Sequence, residues 1–367
     1  MSVSHTLSSR RAPVPEHQGS ANSPDQVQTS LAGAITLGME KGRFANGVQL
    51  RGLNLLLTYD SGCRARCTYC GLAKDRPEVT ETARNHTFIR VKWPTYSTED
   101  VLERVREDPG PMQRVCVAMI QDHRAFEDSN AIMRRFRDGT SMGISALITA
   151  TVIKNREMVE QILEAGADMF TVAFDACTPE LFDRTRGRGA RGPHRWEHHW
   201  QVLRWGVEVF GRFKAGVHLV CGLGETEVEM VRMVQRVHDT GGHTHLFAFF
   251  PEAGTVMQDV DPAPMGHYRR IQVARYLIDN EINRVERMAF NEAGQITDFG
   301  CDISPLVGYG EVFMTSGCAG HDGRNACNRP FGNERPSMRQ RNHPMPLAEA
   351  SKAAALAELR EGLGEPG

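Results

Sequence analysis

The chain has 367 residues, 40% of them apolar, enough to bury a large core around one α/β barrel of ~200–250 residues with extensions. Its formal net charge of −2 gives no global electrostatic case for nucleic acid or a membrane surface as partner. No run of about 18 apolar residues predicts a membrane span. Nine cysteines without a secretory signal fit a reducing cytoplasm, where thiols ligate metal or lie buried more often than they pair.

Residues 1 to about 28 are rich in Ser, Pro, Gln and Ala and hold almost no large apolar residue, which predicts disorder. They open a flexible tail expected over residues 1–45, with a short helix around Leu31–Gly42. From residue 46 to 290, strand-like apolar runs alternate with helical periods. Leu53–Thr58 reads as the first strand. Ser97-Thr-Glu-Asp100 is a capping-box-like start to a helix over Val101–Arg106. Arg114–Ile120 is the second strand and Ile144–Val152 the third, followed by a helix over Glu157–Ala165. Asp168–Phe174 is the fourth strand and Val217–Cys221 the fifth. A helix over Glu227–His238 then opens with acidic residues, as a helix N-terminus prefers. His245–Phe250 is the sixth strand, and Tyr268–Leu277 is helical. Regular alternation of this kind implies an α/β fold with a parallel sheet and right-handed crossovers. About six units are too few for a closed eight-stranded barrel, and chemistry is expected at the carboxyl ends of the strands.

After residue 290 the pattern changes. Residues 291–346 form an extension rich in Gly and polar residues that carries Cys301, Cys318 and Cys327, with an irregular stretch over Asn328–Pro346. Residues 347–367 are a terminal helix, over Ala348–Glu361, and a tail.

Three cysteines fall within eight residues, Cys63-Arg-Ala-Arg-Cys67-Thr-Tyr-Cys70, on the loop leaving the first strand. Three thiolates can hold three irons of a 4Fe–4S cluster and leave the fourth iron open to chelate a small molecule. A structural zinc site would want four ligands, usually from two cysteine pairs, and no partner pair stands nearby. The segment closely resembles the radical S-adenosylmethionine superfamily. That resemblance implies a partial (β/α)6 TIM-like barrel, a 4Fe–4S cluster, S-adenosylmethionine as cofactor and a 5′-deoxyadenosyl radical that abstracts hydrogen. It also sets Tyr69 against the adenine.

Further motifs resemble the biotin-synthase-related branch. Gly222-Leu-Gly-Glu225-Thr226 looks like the glycine turn that passes beside the adenine, which nominates Gly222 and Glu225 as cofactor-binding residues. Asp175, in Phe174-Asp-Ala-Cys-Thr-Pro-Glu180, is a candidate for the ribose hydroxyls or the substrate; its other reading is a helix cap. The superfamily often carries Gly-Gly-Glu after the second strand to hold the methionine amine. Here Met119-Ile-Gln121-Asp122 stands instead, so Gln121 or Asp122 takes that place. Cys116, Cys177 and Cys221 read as small buried residues, and His198 and His199 as surface or capping residues. Phe247, Phe249, Phe250 and Trp205 read as core.

The thiols Cys318 and Cys327 bound a glycine-rich loop that can wrap an auxiliary iron–sulfur cluster, with Cys301 as a third ligand and His321 or a non-protein group as a fourth; unligated thiols or structural zinc are the other readings. Five arginines between Arg184 and Arg195 can clamp carboxylates, phosphates or an acidic carrier face, or simply be solvated. The tail and the Thr178–Gly187 segment resemble the two-component lipoyl synthases. This implies sulfur insertion into an octanoyl chain on a carrier domain (a sulfurtransferase activity), shared with a paired radical enzyme and driven by a ferredoxin- or flavodoxin-type electron donor. The alternatives are radical modification of a tetrapyrrole of bacteriochlorophyllide type, or another small molecule, and a non-catalytic iron–sulfur protein.

Overall fold

The computed structural model describes residues 14–74, 76, 87–88, 91–326, 332, 334–338 and 342–362. Among these, one main sheet has eight strands: β1 Gln26–Thr29, β2 Gly52–Leu57, β3 Thr95–Ser97, β4 Arg114–Ala118, β5 Gly143–Ile148, β6 Met169–Asp175, β7 Ala215–Cys221 and β8 His243–Ala248. Their spatial order is β8-β7-β6-β5-β4-β2-β1-β3. The six strands from β8 to β2 are parallel and are the six expected. β8 stands at one end of this order and is not bonded back to the other, so the barrel is partial.

Every residue of β2 (GLNLLL) and of β4 (RVCVA) is buried. Strands covered on both faces need such runs, because helices pack outside while the barrel interior fills from within. The outer layer is built from α1 Leu31–Thr36, α2 Thr98–Glu107, α3 Ala125–Gly139, α4 Arg156–Glu164, α5 Pro179–Arg186, α6 Trp196–Phe210, α7 Glu227–Asp239, α8 Met265–Asp279, α9 Ser304–Tyr309 and α10 Glu349–Arg360. The predicted start of α2 is real: Ser97 Oγ accepts from the Glu99 and Asp100 amides, and Val101, Leu102 and Val105 turn inward. α7 opens with a full capping box between Thr226 and Glu229.

Three boundaries differ from the sequence reading. Gln26–Thr29 is not tail: it lies between β2 and β3, antiparallel to both, with Val27 and Thr29 fully buried. A polar, Pro-flanked strand is legible as disorder until a neighbouring sheet edge offers it hydrogen-bond partners, and here it covers the edge of β2. The third parallel strand ends at Ile148, because Ala150–Val152 tightens into a 3₁₀ turn. The first helix ends at Thr36, short of Gly42.

Beyond α9 the chain crosses the amino ends of the barrel strands. Arg114, the first residue of β4, donates Nε to the Ala319 carbonyl at 2.7 Å, and the Leu246 amide of β8 donates to Ser316 Oγ at 3.3 Å. No helix among the described residues is long and apolar enough to cross a membrane.

Candidate active site

The loop after β2 is pinned at several points. Cys63 donates its amide to the Leu72 carbonyl at 3.1 Å, and its own carbonyl accepts from Lys74 at 2.8 Å. The Arg64 amide reaches the Gln121 carbonyl beyond β4, and the Thr68 amide reaches the Thr185 carbonyl on α5. These bonds set Cys63, Cys67 and Cys70 on the wall of a cavity of about 1150 Å³, counted with its solvent-filled mouth, at the carboxyl ends of the strands. Leu56, Ala118, Leu147, Ala173, Val220 and Phe247 line it from six strands.

Burial pushes all three thiols up, Cys67 to about 12, while the Arg186 guanidinium pulls Cys63 and Cys67 the other way. The thiols also raise one another, since each resists a second negative charge beside it. Three thiols on one cavity wall, Cys63 buried and Cys67 and Cys70 half-buried, therefore fit a cationic iron–sulfur group, which would ionise them and take up their charge. The Gln121 amide donates to Cys63 Sγ at 3.3 Å, the kind of bond that supports a ligating sulfur.

Beside the thiols, the Tyr69 hydroxyl donates to Asp175 Oδ2 at 2.6 Å, and Arg186 Nη1 donates to the same oxygen. Asp175 ends β6 at an irregularity in its pairing with β7, with φ at +63°. A non-glycine residue held there re-aims its side chain at a local cost. The helix-cap reading of Asp175 does not hold: the cap of α5 is Thr178, whose hydroxyl accepts from the Leu181 amide at 3.2 Å. Of Gln121 and Asp122, only Gln121 lines the cavity. Asp122 is spent on the amide and Nε of Arg124, both at 3.0 Å.

Gly222 and Glu225 sit elsewhere. Glu225 folds back on its own turn, accepting from the amides of Gly222 at 2.6 Å and Leu223 at 2.9 Å, and it faces His267 at 3.6 Å. Neither residue lines the cavity that holds the thiols. The glycine at 222 is required because φ is +108° and a Cβ would press on Phe249 and Ala263. The turn thus shapes the barrel rim.

The C-terminal thiols are not gathered by the described residues. Cys301 is half-buried beside Asn283, Asp298 and Asp302. Cys318 is buried at the amino ends of the strands, beside Ser145, Cys116, Arg114 and Asp168. These two sets of neighbours share no residue: the tail that carries Cys318 crosses the floor of the barrel, whereas Cys301 lies against Asn283. Cys327 lies outside the described residues. His321 is exposed and contacts the Ser141 carbonyl.

Among the five loop arginines only Arg186 reaches the cavity; Arg184, Arg188, Arg191 and Arg195 are exposed. His199, expected at the surface, is fully buried among Phe174, Phe182 and Trp200. Phe247, Phe249 and Phe250 are wall as well as core. The sequence reading names neither His194 nor His218 as site residues, yet both line the cavity. The strand alternation that puts Val220 and Phe247 inside also puts His218 there, and that was the available signal.

Residues 59–237 match the family model of the Radical SAM superfamily, just under half of the chain. That superfamily uses a 4Fe–4S cluster and S-adenosylmethionine. No curated protein matches the chain. Among solved structures it is similar to methylornithine synthase (PylB), at 11% identity, over 63% of this chain and 63% of that one, with a TM-score of 0.46. It is also similar to HydG, a maturase of the FeFe hydrogenase, at 13% identity over 67% and 56%, TM-score 0.48. A third is the radical S-adenosylmethionine methyltransferase TsrM from Kitasatospora setae, at 13% identity over 60% and 43%, TM-score 0.38. The chain spans less than two thirds of the length of each of these three.

Proposed function

We propose that the chain is a radical S-adenosylmethionine enzyme that takes hydrogen from an aliphatic carbon, and that its substrate is an octanoyl chain on a carrier domain. The observation that carries this reading is the placement of three thiols on the wall of a largely apolar cavity. Leu56, Met119, Ile120, Leu147, Ile148 and Phe247 offer an alkyl chain contact without polar competition. A tetrapyrrole would need cations for its carboxylates, and the one arginine among the described residues that line the cavity is already committed to Asp175.

When bound, the cluster and S-adenosylmethionine supply a 5′-deoxyadenosyl radical able to take hydrogen from unactivated carbon. The chain's own residues hold and orient. Cys63, Cys67 and Cys70 would be the thiolate ligands, leaving the fourth iron open. Gln121, braced by the Thr149 hydroxyl at 3.2 Å, would accept the methionine amine. Tyr69 would lie against the adenine. Asp175 has Oδ2 taken by Tyr69 and Arg186, so Oδ1 is the atom left for a ribose or substrate hydroxyl. The apolar wall excludes water, which would otherwise compete at the reacting carbon.

Sulfur insertion needs a sulfur source beyond these thiols. Because Cys301 and Cys318 stand apart, a paired radical enzyme is the partner in which this reading places that source. A ferredoxin- or flavodoxin-type donor provides the electron, and a reducing compartment suits all these thiols.

Reconstituted, reduced protein incubated with S-adenosylmethionine and a peptide carrying a perdeuterated octanoyl group tests the proposal by mass spectrometry. Deuterated 5′-deoxyadenosine is expected, and with the partner enzyme present, a product that has gained sulfur. No 5′-deoxyadenosine at all would reject the radical reading. 5′-Deoxyadenosine without deuterium would reject the octanoyl chain alone.

A further inference from the structure

At the opposite end of the barrel from the thiol triplet, three metal-ligating side chains converge inside the sheet. His243 and His245 alternate along β8 so that both imidazoles face inward, and their Nε2 atoms lie 2.6 Å apart. Cys318, carried in by the tail, brings Sγ to 3.8 Å from His245 Nε2. All three ligand atoms fall within 4.8 Å of one another, and His245 and Cys318 are each 3% exposed.

We propose that His243 Nε2, His245 Nε2 and Cys318 Sγ bind one divalent zinc-type ion that fastens the C-terminal extension to the barrel floor. Two imidazoles and one thiolate are a donor set that zinc favours. In a tetrahedral site, zinc–nitrogen bonds of about 2.05 Å and a zinc–sulfur bond of about 2.3 Å separate nitrogen from nitrogen by ~3.3 Å and nitrogen from sulfur by ~3.6 Å. The Cys318–His245 distance already matches. A small rotation of either ring opens the His243–His245 distance.

The surroundings are built for this arrangement. Gly216, the register partner of His243 on β7, has no side chain, and a Cβ there would lie 2.7 Å from His243 Nε2. Larger residues at 216 would push the ring out of the barrel. On the other side, the Arg114–Asp168 pair and the Ser145 hydroxyl flank Cys318, and Arg114 holds the next residue of the tail through the Ala319 carbonyl. His218 pairs in register with His245, its ring 5.3 Å away, and stands between this group and the cavity at the mouth. The radical-type thiols take no part in it.

The test uses the full chain with Cys63, Cys67 and Cys70 replaced by alanine, so that the other site contributes no metal. After chelation and dialysis, titration with Co2+ should reach one equivalent per chain, with a thiolate-to-cobalt charge-transfer band and the visible bands of a tetrahedral ion. Cys318→Ser should remove the charge-transfer band, and His243→Asn and His245→Asn should each weaken binding by more than about 100-fold. Circular dichroism checks that each variant is folded. Should Cys318→Ser not fold, His243→Asn, at the less buried ring, carries the same test. Zinc analysis of the reconstituted wild-type chain gives an independent answer without the triple substitution: one zinc beside the iron. Absence of stoichiometric Co2+, or binding indifferent to all three substitutions, would reduce the group to a hydrogen-bonded imidazole pair. Loss of several irons with acid-labile sulfide from the Cys318→Ser variant would overturn a single-ion site in favour of a cluster.

Discussion

Replacing Arg186 with methionine would leave the half-buried Asp175 against Tyr69 with no cation, and Cys63 and Cys67 without the positive charge they face. Breaking a buried pair in this way costs about 3–5 kcal/mol, because the remaining charge keeps its desolvation penalty. The expected result is a markedly lower melting temperature together with poor iron retention after reconstitution. Arg186→Lys should recover part of the stability but less of the iron, since lysine cannot reproduce the guanidinium's geometry. A second residue-scale prediction concerns pH. Burial alone would lower the pKa of His267, but the Glu225 and Glu227 carboxylates, 3.6 and 3.5 Å from its ring nitrogens, outweigh it and push the ring up to about 9. The folded pKa is thus above the unfolded value of about 6.5, so the stabilisation is complete below about pH 6.5 and is lost as pH rises through 9. Denaturant melts from pH 6 to 10 should show that decline in the wild type and a flatter profile in His267→Gln.

The elements owe their positions to local chemistry that is largely readable. Thr226→Ala removes the hydroxyl half of the capping box on α7, keeping the amide of residue 226 bonded to Glu229, and should cost about 1 kcal/mol, measured by urea unfolding. The six parallel strands follow from their apolar runs, and their ends shift by only a few residues. Two long helices, α3 and α6, are absent from the sequence reading. In α3, Phe126, Asn130, Met133 and Phe136 are buried at helical spacing, so the signal was there. In α6, three tryptophans and two histidines obscure the period, and burial of His199 and Trp200 against Phe174 settles it. β1 is different in kind, because no apolar run marks it. Truncation through Thr29 should expose the Leu55–Leu57 edge of β2 and produce a chain that aggregates on heating, seen by light scattering.

At the scale of the molecule, the extension and terminal helix are part of the barrel's support. Arg270 donates to both oxygens of Glu227 and to the Leu359 and Glu361 carbonyls, while Glu227 also accepts from the Ile296 amide at 2.7 Å. One buried ion pair therefore ties α7, α8, the short strand Ile296–Asp298 and the end of α10 together. Glu227→Gln should destabilise by roughly 3–5 kcal/mol in thermal melts, with the iron of the thiol triplet retained, since that site is not in contact with this pair. Removal of residues 347–367 should act in the same direction, as Arg269 also loses Glu358.

The sequence alone carried the spacing of Cys63, Cys67 and Cys70, the neighbouring Tyr69 and the strand–helix alternation, because each depends on residues close together along the chain. Tertiary structure decided that Asp175 answers to Tyr69 and Arg186 rather than to a helix, that Gln121 and not Asp122 faces the thiols, and that Glu225 serves its own turn. It also separated Cys301 from Cys318 and set the latter beside His245, 73 residues away. Such meetings are fixed by strand register and by the path of the tail across the barrel floor, and neither leaves a local pattern in the order of the residues.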